Sequence, residues 1–399
     1  MNIISEAKSI QDEIVKWRQQ LHKVPEIGFE LHQTTAYVQK RLDEMGIGYR
    51  VAAETGIVAI IKGDKPGPTI ALRADMDALP LEEKSELPFA AKNGNMHACG
   101  HDAHMAILLG AAKIINSIRQ YLPGNVKLLF QPGEEGFGGA AKMIEDGCLK
   151  DPAVEAVVAL HVGNIFRDVK TGQIGYCEGP MLAATTAFEV VVRGSSCHGA
   201  KPNQGVDSIV IAAEIILALQ KIVSRETDPL NHAVLTVGMI NGGTAMNIVT
   251  DRVVLKGDFR TLTSEDRDYM IKRITEIAEG VAVAGRAEAE VNILSGYPPT
   301  TNDPEIARKI AASAAEIVSA DNVIEIKKPS MGAEDMSLYM EKIPGAMFAL
   351  GTGNEDKKIT YPHHHPQFDL DEDVLWIGAA VFIRFVCDYF LLDPAGIEV

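Results

Sequence analysis

Apolar residues recur three and four positions apart through residues 5–46, and the pattern breaks at HKVPEIGFE, where Pro25 and Gly28 interrupt it. Two helices are expected there. The period then changes. GIVAIIKG and TIALRADMDALP are short apolar runs rich in β-branched residues, which predicts strands, the second ending in two aspartates. Residues 102–120 return to helical spacing, with Met105, Leu108, Leu109, Ala112 and Ile115 on one stripe. NVKLLFQPGEEG reads as a strand stopped by Pro-Gly, GGAAKMIEDG as a helix, and VEAVVALHV as a strand ending in His161. Strands alternating with helices predict an α/β layer on a mainly parallel sheet.

The middle of the chain has another rhythm. TAFEVVVRG, AVLTVGMINGG and RVVLKGDFRT alternate as half-buried strands. Helices are expected near 206–224 and 264–284, and EAEVNILSGYPPTT closes the unit. The order β-α-β-β-α-β is the ferredoxin-like split pattern. The α/β pattern resumes with a helix over 304–318, the strand AMFALGTG and a long helix from Val374. A chain of 399 residues exceeds the size at which one core usually keeps growing. The expected organisation is a discontinuous catalytic domain, residues 1–182 and 295–399, with a ferredoxin-like α+β domain, residues 183–294, inserted as a lid or dimerisation domain.

Composition narrows the classes. The formal net charge is −16 and no Lys/Arg run interrupts it, which argues against nucleic acid and anionic membrane surfaces as partners. The opening MNIISEAKSIQDEIVKWRQQ is amphipathic and lacks the basic and apolar regions of a secretory signal. No apolar run is long enough to cross a bilayer. The five cysteines are odd in number and scattered, unlike a disulfide framework, so a reducing cytoplasm is the expected location.

The residues with chemistry fall at the ends of the predicted strands. Asp75 and Asp77 follow one strand. Cys99, His101, Asp102 and His104 open a helix. Glu134 and Glu135 follow a Pro-Gly turn, His161 ends a strand, and His363, His364 and His365 follow the last one. In open α/β sheets the carboxyl ends of the strands line the ligand crevice, so these groups are expected to converge. Thiolate, imidazole and carboxylate form a borderline-soft donor set that suits Zn²⁺, Co²⁺, Ni²⁺ or Mn²⁺ rather than Ca²⁺ or Mg²⁺. More than four donors points to two ions sharing ligands. Adjacent Glu134 and Glu135 cannot point the same way from an extended backbone, so one ligand and one general base is the natural division. Singly, each group has a plainer reading: a helix cap for Cys99 or Asp102, a solvated turn for the glutamates, a core histidine for His161, a surface run for the three histidines. Elsewhere, RGSSCHGAKP puts His198 in a small-residue loop. Asn247 and Arg260 lie in the inserted domain, where Arg260 suits either a substrate carboxylate or a surface partner. Glu334 and Asp335 suit a helix N-cap. GTGNEDKK lacks the order of a dinucleotide fingerprint.

Taken together, WRQQLHKVPEIGFE, ALRADMDALP, MHACGHDAHMAILLGAA, FQPGEEGFGGAAKMIEDG, LHV, SSCHGAKP, NIVTD, GAEDMSLYM and HHHPQFDLDE resemble the M20 metallopeptidase family over essentially the whole chain. They resemble in particular its amidohydrolase branch, which includes N-acyl-amino-acid amidohydrolases, hippurate hydrolase and auxin-conjugate hydrolases. By position, the resemblance makes Cys99, His101, Glu135, His161 and His364 metal ligands, the last as the His of an H-x-P motif with His365 at its variable position. It makes Glu134 the general base and His198 the group that polarises the substrate carbonyl. Asn247 and Arg260 match residues near the substrate. Asp75 and Asp77 match a strand end that in other branches supplies a ligand and a supporting carboxylate; here they, with Asp102 and His104, are expected to support the ligands. The chain departs from the family at SSCHGAKP, where Gly-Gly usually precedes the histidine and Ala-Ala follows it. Cys197 and Gly199 therefore alter the surroundings of His198 and put substrate preference in question.

The resemblance implies an amide-bond hydrolase for N-acyl-L-amino acids of the aminoacylase, hippurate hydrolase or deacetylase kind, using two divalent metal ions per subunit. It also implies a homodimer, or a higher oligomer, through the inserted domain, with closure or a partner subunit bringing His198 to the metals. A dipeptidase or carboxypeptidase would use the same centre. Two further readings are a thiol amidase with Cys99 as nucleophile and His101 as its base, and a metal-binding protein without catalysis.

Overall fold

The computed structural model describes residues 1–398. The chain divides into two compact units. One comprises Met1–Met181, Thr301–Lys328 and residues 335 onward; the other comprises Leu182–Thr300 and Pro329–Glu334. The second visit of the chain to the smaller unit, over Pro329–Glu334, has no hydrophobic period to announce it.

The larger unit is built on an eight-stranded sheet. Its strands lie in the order Gly48–Ala52, Gly56–Lys62, Pro123–Gln131, Lys65–Asp75, Ala156–Gly163, Gly345–Gly351, Ile174–Tyr176 and Val323–Glu325. The four central strands, from Pro123–Gln131 to Gly345–Gly351, run parallel. Their carboxyl ends at Gln131, Asp75, Gly163 and Gly351 therefore share one edge of the sheet. Antiparallel pairs flank them. Ala156–Gly163 and Gly345–Gly351 are buried at every residue, as continuous apolar strands covered on both faces should be. The strands Gly48–Ala52, Ile174–Tyr176 and Val323–Glu325 are not foreseen from the pattern. The first is mostly exposed and the others span three residues each, so none carries a readable apolar run.

The N-terminal segment forms three helices rather than two: Ile3–Ser9, Gln11–His22 and His32–Glu44. Ile3, Ala7, Ile10, Ile14, Trp17 and Leu21 keep an unbroken three-and-four spacing into one core across the join at Ile10, which is why periodicity alone hides it. The helix His101–Ser117 is buried on nearly every side and packs against Gln11–His22 and the C-terminal helix Leu375–Tyr389.

The smaller unit carries an antiparallel four-stranded sheet in the order Ala233–Gly242, Arg252–Thr261, Ala184–Arg193 and Glu288–Tyr297. The helices Ser208–Lys221 and Ser264–Ala284 complete the β-α-β-β-α-β succession. Their apolar faces meet the sheet in a separate core that includes Phe188, Val190, Ile211, Ile215, Leu255, Phe259 and Ile274. Among the described residues, no helix is long and apolar enough to cross a membrane.

Candidate metal centre

Three carboxyl-end turns and one helix start supply the site. Gly100, at φ +88°, lets the chain turn sharply between Cys99 and the helix that begins at His101. Gly100 is also the N-cap, and no side chain caps this helix. The capping reading of Cys99 or Asp102 is therefore replaced: Asp102 accepts instead from Arg18 Nε at 2.8 Å and pairs with His22 Nδ1 at 2.7 Å. Helical phase explains the split, since His101 and His104 are one turn apart and Asp102 is rotated away.

On the other side of that helix the donors gather. Within 4.8 Å of one another lie ligand atoms of Cys99, His101 and His161; of Cys99, Glu135 and His364; and of His101, Glu134 and Glu135. Cys99 thus belongs to two overlapping sets, and Glu135 and His101 each recur. The Cys99 Sγ is 3.6 Å from His161 Nε2, and His364 Nε2 is 3.4 Å from Glu135 Oε1. His101 Nε2 lies 4.0 Å from the same glutamate oxygen.

The supporting hydrogen bonds fix which nitrogens face the site. His101 Nδ1–H donates to the Asp77 carbonyl at 2.8 Å, and His161 Nδ1–H donates to the Val162 carbonyl at 2.8 Å. Each ring keeps its Nε2 for another partner. His104 is consumed on both sides: Nδ1–H donates to Asp75 Oδ1 at 2.6 Å, and Nε2 accepts the Val162 N–H at 2.9 Å. Asp75 is likewise held, its other oxygen accepting from Arg73 at 2.8 Å. Both residues are thus engaged in hydrogen bonds beside the donor cluster. Asp77 accepts the backbone N–H of Glu134 at 2.9 Å and of Glu135 at 3.1 Å, which shapes the turn that carries both.

Charge follows the same pattern. Burial works against a proton on His101, but Asp75 and Cys99 beside it outweigh burial and hold it well above the usual range. His161 goes the other way, pushed down by burial and by His104 and His363 nearby. Burial pushes the Cys99 thiol up. The Cys99 thiol and the Glu135 carboxylate draw His364 up to about 10. A metal bound by these donors would compete with protons and bind more strongly as pH rises.

Whether the residues fit a metal turns on two atoms. His101 Nε2 and Glu135 Oε1 are buried and make no hydrogen bond. A buried polar atom without a partner is costly, and a cation between them would satisfy both. The donor set of sulfur, imidazole and carboxylate fits a borderline divalent ion.

The remaining predicted residues lie in the smaller unit. His198 sits in a two-residue strand with Cys197, paired to Ile248–Val249. Its Nδ1 accepts the Ala200 N–H at 3.0 Å, which leaves Nε2–H as a donor. Asn247 is adjacent, its carbonyl accepting the Gly199 N–H at 2.8 Å. A Cβ at position 199 would come within 2.9 Å of that carbonyl oxygen, so glycine allows this close approach. Arg260 is paired with Asp258, Nε to Oδ1 at 2.7 Å, and also reaches the Met331 carbonyl at 3.4 Å.

Several residues beside the site lie outside the set of site residues expected from the sequence. Arg73, Gln131 and the Ala140 N–H converge on the buried Asp335 carboxylate, at 2.8 to 2.9 Å. The N-cap reading of Asp335 is thus corrected in part: it occupies the cap position, but its side chain makes no cap bond. Arg18 is fully buried and also bonds Glu372 at 3.0 Å. A basic residue set among Ile14, Trp17 and Leu21 on the buried side of its helix was the available signal for it.

Thiol, imidazole and carboxylate donors meeting at the carboxyl edge of a parallel sheet, around buried atoms that make no hydrogen bond, place the chain among metal-dependent hydrolases. Residues 71–388 match the model of Peptidase family M20/M25/M40, and the chain belongs to that family. It is 42% identical to an N-acetyl-L-cysteine deacetylase of Bacillus subtilis (strain 168) over 379 residues, covering 94% of this chain and 87% of that protein. It is 37% identical to thermostable carboxypeptidase 2 of Saccharolobus solfataricus over 385 residues, covering 94% and 95%. The crystal structure of the Bacillus subtilis YXEP protein, described as a dinuclear metal-binding peptidase from the M20 family, superposes with a TM-score of 0.84. That structure is 34% identical, with 97% of this chain and 100% of that one covered.

Proposed function

We propose that the protein is a metal-dependent amidohydrolase that releases an amino acid from an N-acyl-L-amino acid. The observation that carries this is the donor set at the sheet edge, in which the buried atoms His101 Nε2 and Glu135 Oε1 make no hydrogen bond. Cys99, His101, Glu135, His161 and His364 would hold two divalent ions, and overlapping donor triads that share Cys99 and Glu135 support a pair. Zinc, manganese, cobalt and nickel all suit these donors. When bound, such ions would lower the pKa of water toward neutrality and polarise the amide carbonyl.

The chain's own residues supply the proton traffic. Glu134 takes the proton from the attacking water and delivers it to the leaving amine. Its role differs from that of Glu135 because Asp77 holds their two backbone N–H groups on separate oxygens. His198 polarises the scissile carbonyl through Nε2–H, a role its hydrogen bond from Ala200 supports. Asn247 and Arg260 contact the substrate, Arg260 exchanging its Asp258 partner for a carboxylate. The protein acts as a homodimer joined through the smaller unit and works in the cytoplasm, a reducing setting supported by five free cysteines.

The carboxypeptidase relative keeps peptide hydrolysis as a second reading. Cys99 as a nucleophile is less well supported, because burial pushes its thiol up and away from the thiolate that attack requires. The test is a panel of N-acetyl, N-benzoyl and N-succinyl amino acids beside N-blocked dipeptides. Chelator-treated protein is assayed alone and after addition of Zn²⁺, Mn²⁺, Co²⁺ or Ni²⁺. Turnover of the acyl amino acids that returns only with metal supports the proposal. Preference for the dipeptides would favour the second reading, and activity that survives chelation would favour the thiol.

A further inference from the structure

One backbone carbonyl, that of Val162, accepts two imidazole N–H groups: His161 Nδ1–H at 2.8 Å and His363 Nε2–H at 3.0 Å. The first bond leaves His161 Nε2 facing Cys99. The second ties the loop that carries His364 to the same peptide. Gly163, at φ +110°, makes room for it, since a Cβ there would run into His363 Nε2. The His363 ring also lies edge-on to His161, with centroids 5.3 Å apart, and against Phe368 at 4.8 Å.

The next residue is strained. His364 has φ +62°, a left-handed backbone that a side chain with a Cβ adopts only when its surroundings hold it there. Its N–H donates at 2.9 Å to the carbonyl of Ala98, the residue before Cys99. The loop is thus clamped to the Cys99 turn by backbone and to the His161 strand by the His363 side chain.

We propose that His363 is a positioning residue. By sharing the Val162 carbonyl with His161, it holds His161 and His364 in one frame, so that both imidazoles meet a cation without reorganisation of the loop. This rests on the metal reading above.

Two variants of similar length separate the donor from the shape: H363Q keeps an N–H, and H363M has none. Apoprotein of each is titrated with Co²⁺ against a competing chelator, and the thiolate-to-cobalt absorption of Cys99 is read in the same titration. Wild type and H363Q are expected to take up two ions with the same spectrum. H363M is expected to bind one of the two about 10- to 100-fold more weakly, with altered absorption and an unchanged far-ultraviolet circular dichroism spectrum. H363M with wild-type affinities and spectrum would overturn the inference, as would a loss in H363Q as large as in H363M. G163A displaces the same ring without changing it, is expected to reproduce H363M, and stands in for it if H363M does not fold. Wild-type protein that takes up no cobalt would instead remove the metal reading itself.

Discussion

Asp77 is what separates two neighbouring glutamates. Its oxygens accept their N–H groups one each, and the turn so formed gives Glu134 and Glu135 different surroundings, the first buried and the second 11% exposed. Glu134→Gln keeps the size and removes the base. It is expected to lower kcat by about 10²- to 10⁴-fold while two metal ions still bind, which metal analysis on the same sample would check. Away from the donors, His22 is buried between Asp102 at 2.7 Å and Glu83 at 3.2 Å. Burial disfavours its charge, but Asp102 outweighs burial and raises its pKa above the usual value. A raised folded-state pKa contributes stability that is fully present below the unfolded value, about 6.5, and is lost as pH rises through the folded one. The stability gap between wild type and H22Q is therefore expected to be widest below about pH 6 and to narrow toward alkaline pH. Denaturant titrations across that range would show it, and a gap that widens with pH would contradict the assignment. Sequence gave a partial view at this scale. The donor types are visible because several Cys, His and Glu fall together at predicted strand ends, although each alone has a plainer reading. Arg18, His22 and Arg73 are harder to read, because each buried group relies on a partner distant in sequence, Asp102 for the first two and Asp335 for Arg73.

The helix His101–Ser117 does two jobs because successive residues differ by about 100° around its axis. His101 and His104 face Asp75 and Asp77, and Asp102 faces Arg18 and His22. Its start depends on Gly100. At φ +88° a side chain is strained, and a Cβ would also stand 2.6 Å from Val162 Cγ2 on the strand Ala156–Gly163. Gly100→Ala is expected to destabilise the protein by about 1–3 kcal/mol from backbone strain alone and to weaken metal uptake as well. Thermal melts with and without metal would measure both effects, and a melting temperature equal to wild type would show that the turn is not under this constraint. The long elements were readable in advance because burial on one or both faces forces a period. The break at Ile10 and the short edge strands were not, since neither changes which residues are apolar.

At the scale of the molecule, the smaller unit leaves apolar residues open. Met239 and Ile240 on the edge strand Ala233–Gly242 are 54% and 52% exposed, and Leu217 on the helix Ser208–Lys221 is 71% exposed. An unpaired edge strand bearing apolar side chains favours pairing with another chain. The wild-type protein is expected to sediment as a dimer and Ile240→Lys as a monomer. A wild-type monomer at micromolar concentration would contradict the proposed assembly. The sequence by itself determined the α/β and α+β patterns, the inserted order of elements and the chemical kind of the donors, because each follows from local period or residue type. The tertiary structure decided the rest. It brought Cys99, His161 and His364 together across more than 260 residues of chain, consumed His104 and Asp75 in hydrogen bonds, sent Asp102 to Arg18, and left His101 Nε2 and Glu135 Oε1 without hydrogen bonds. The physical reason is that parallel strands align their carboxyl ends whatever their separation in sequence. A hydrogen bond or an unsatisfied atom, in contrast, exists only once its neighbours are in place.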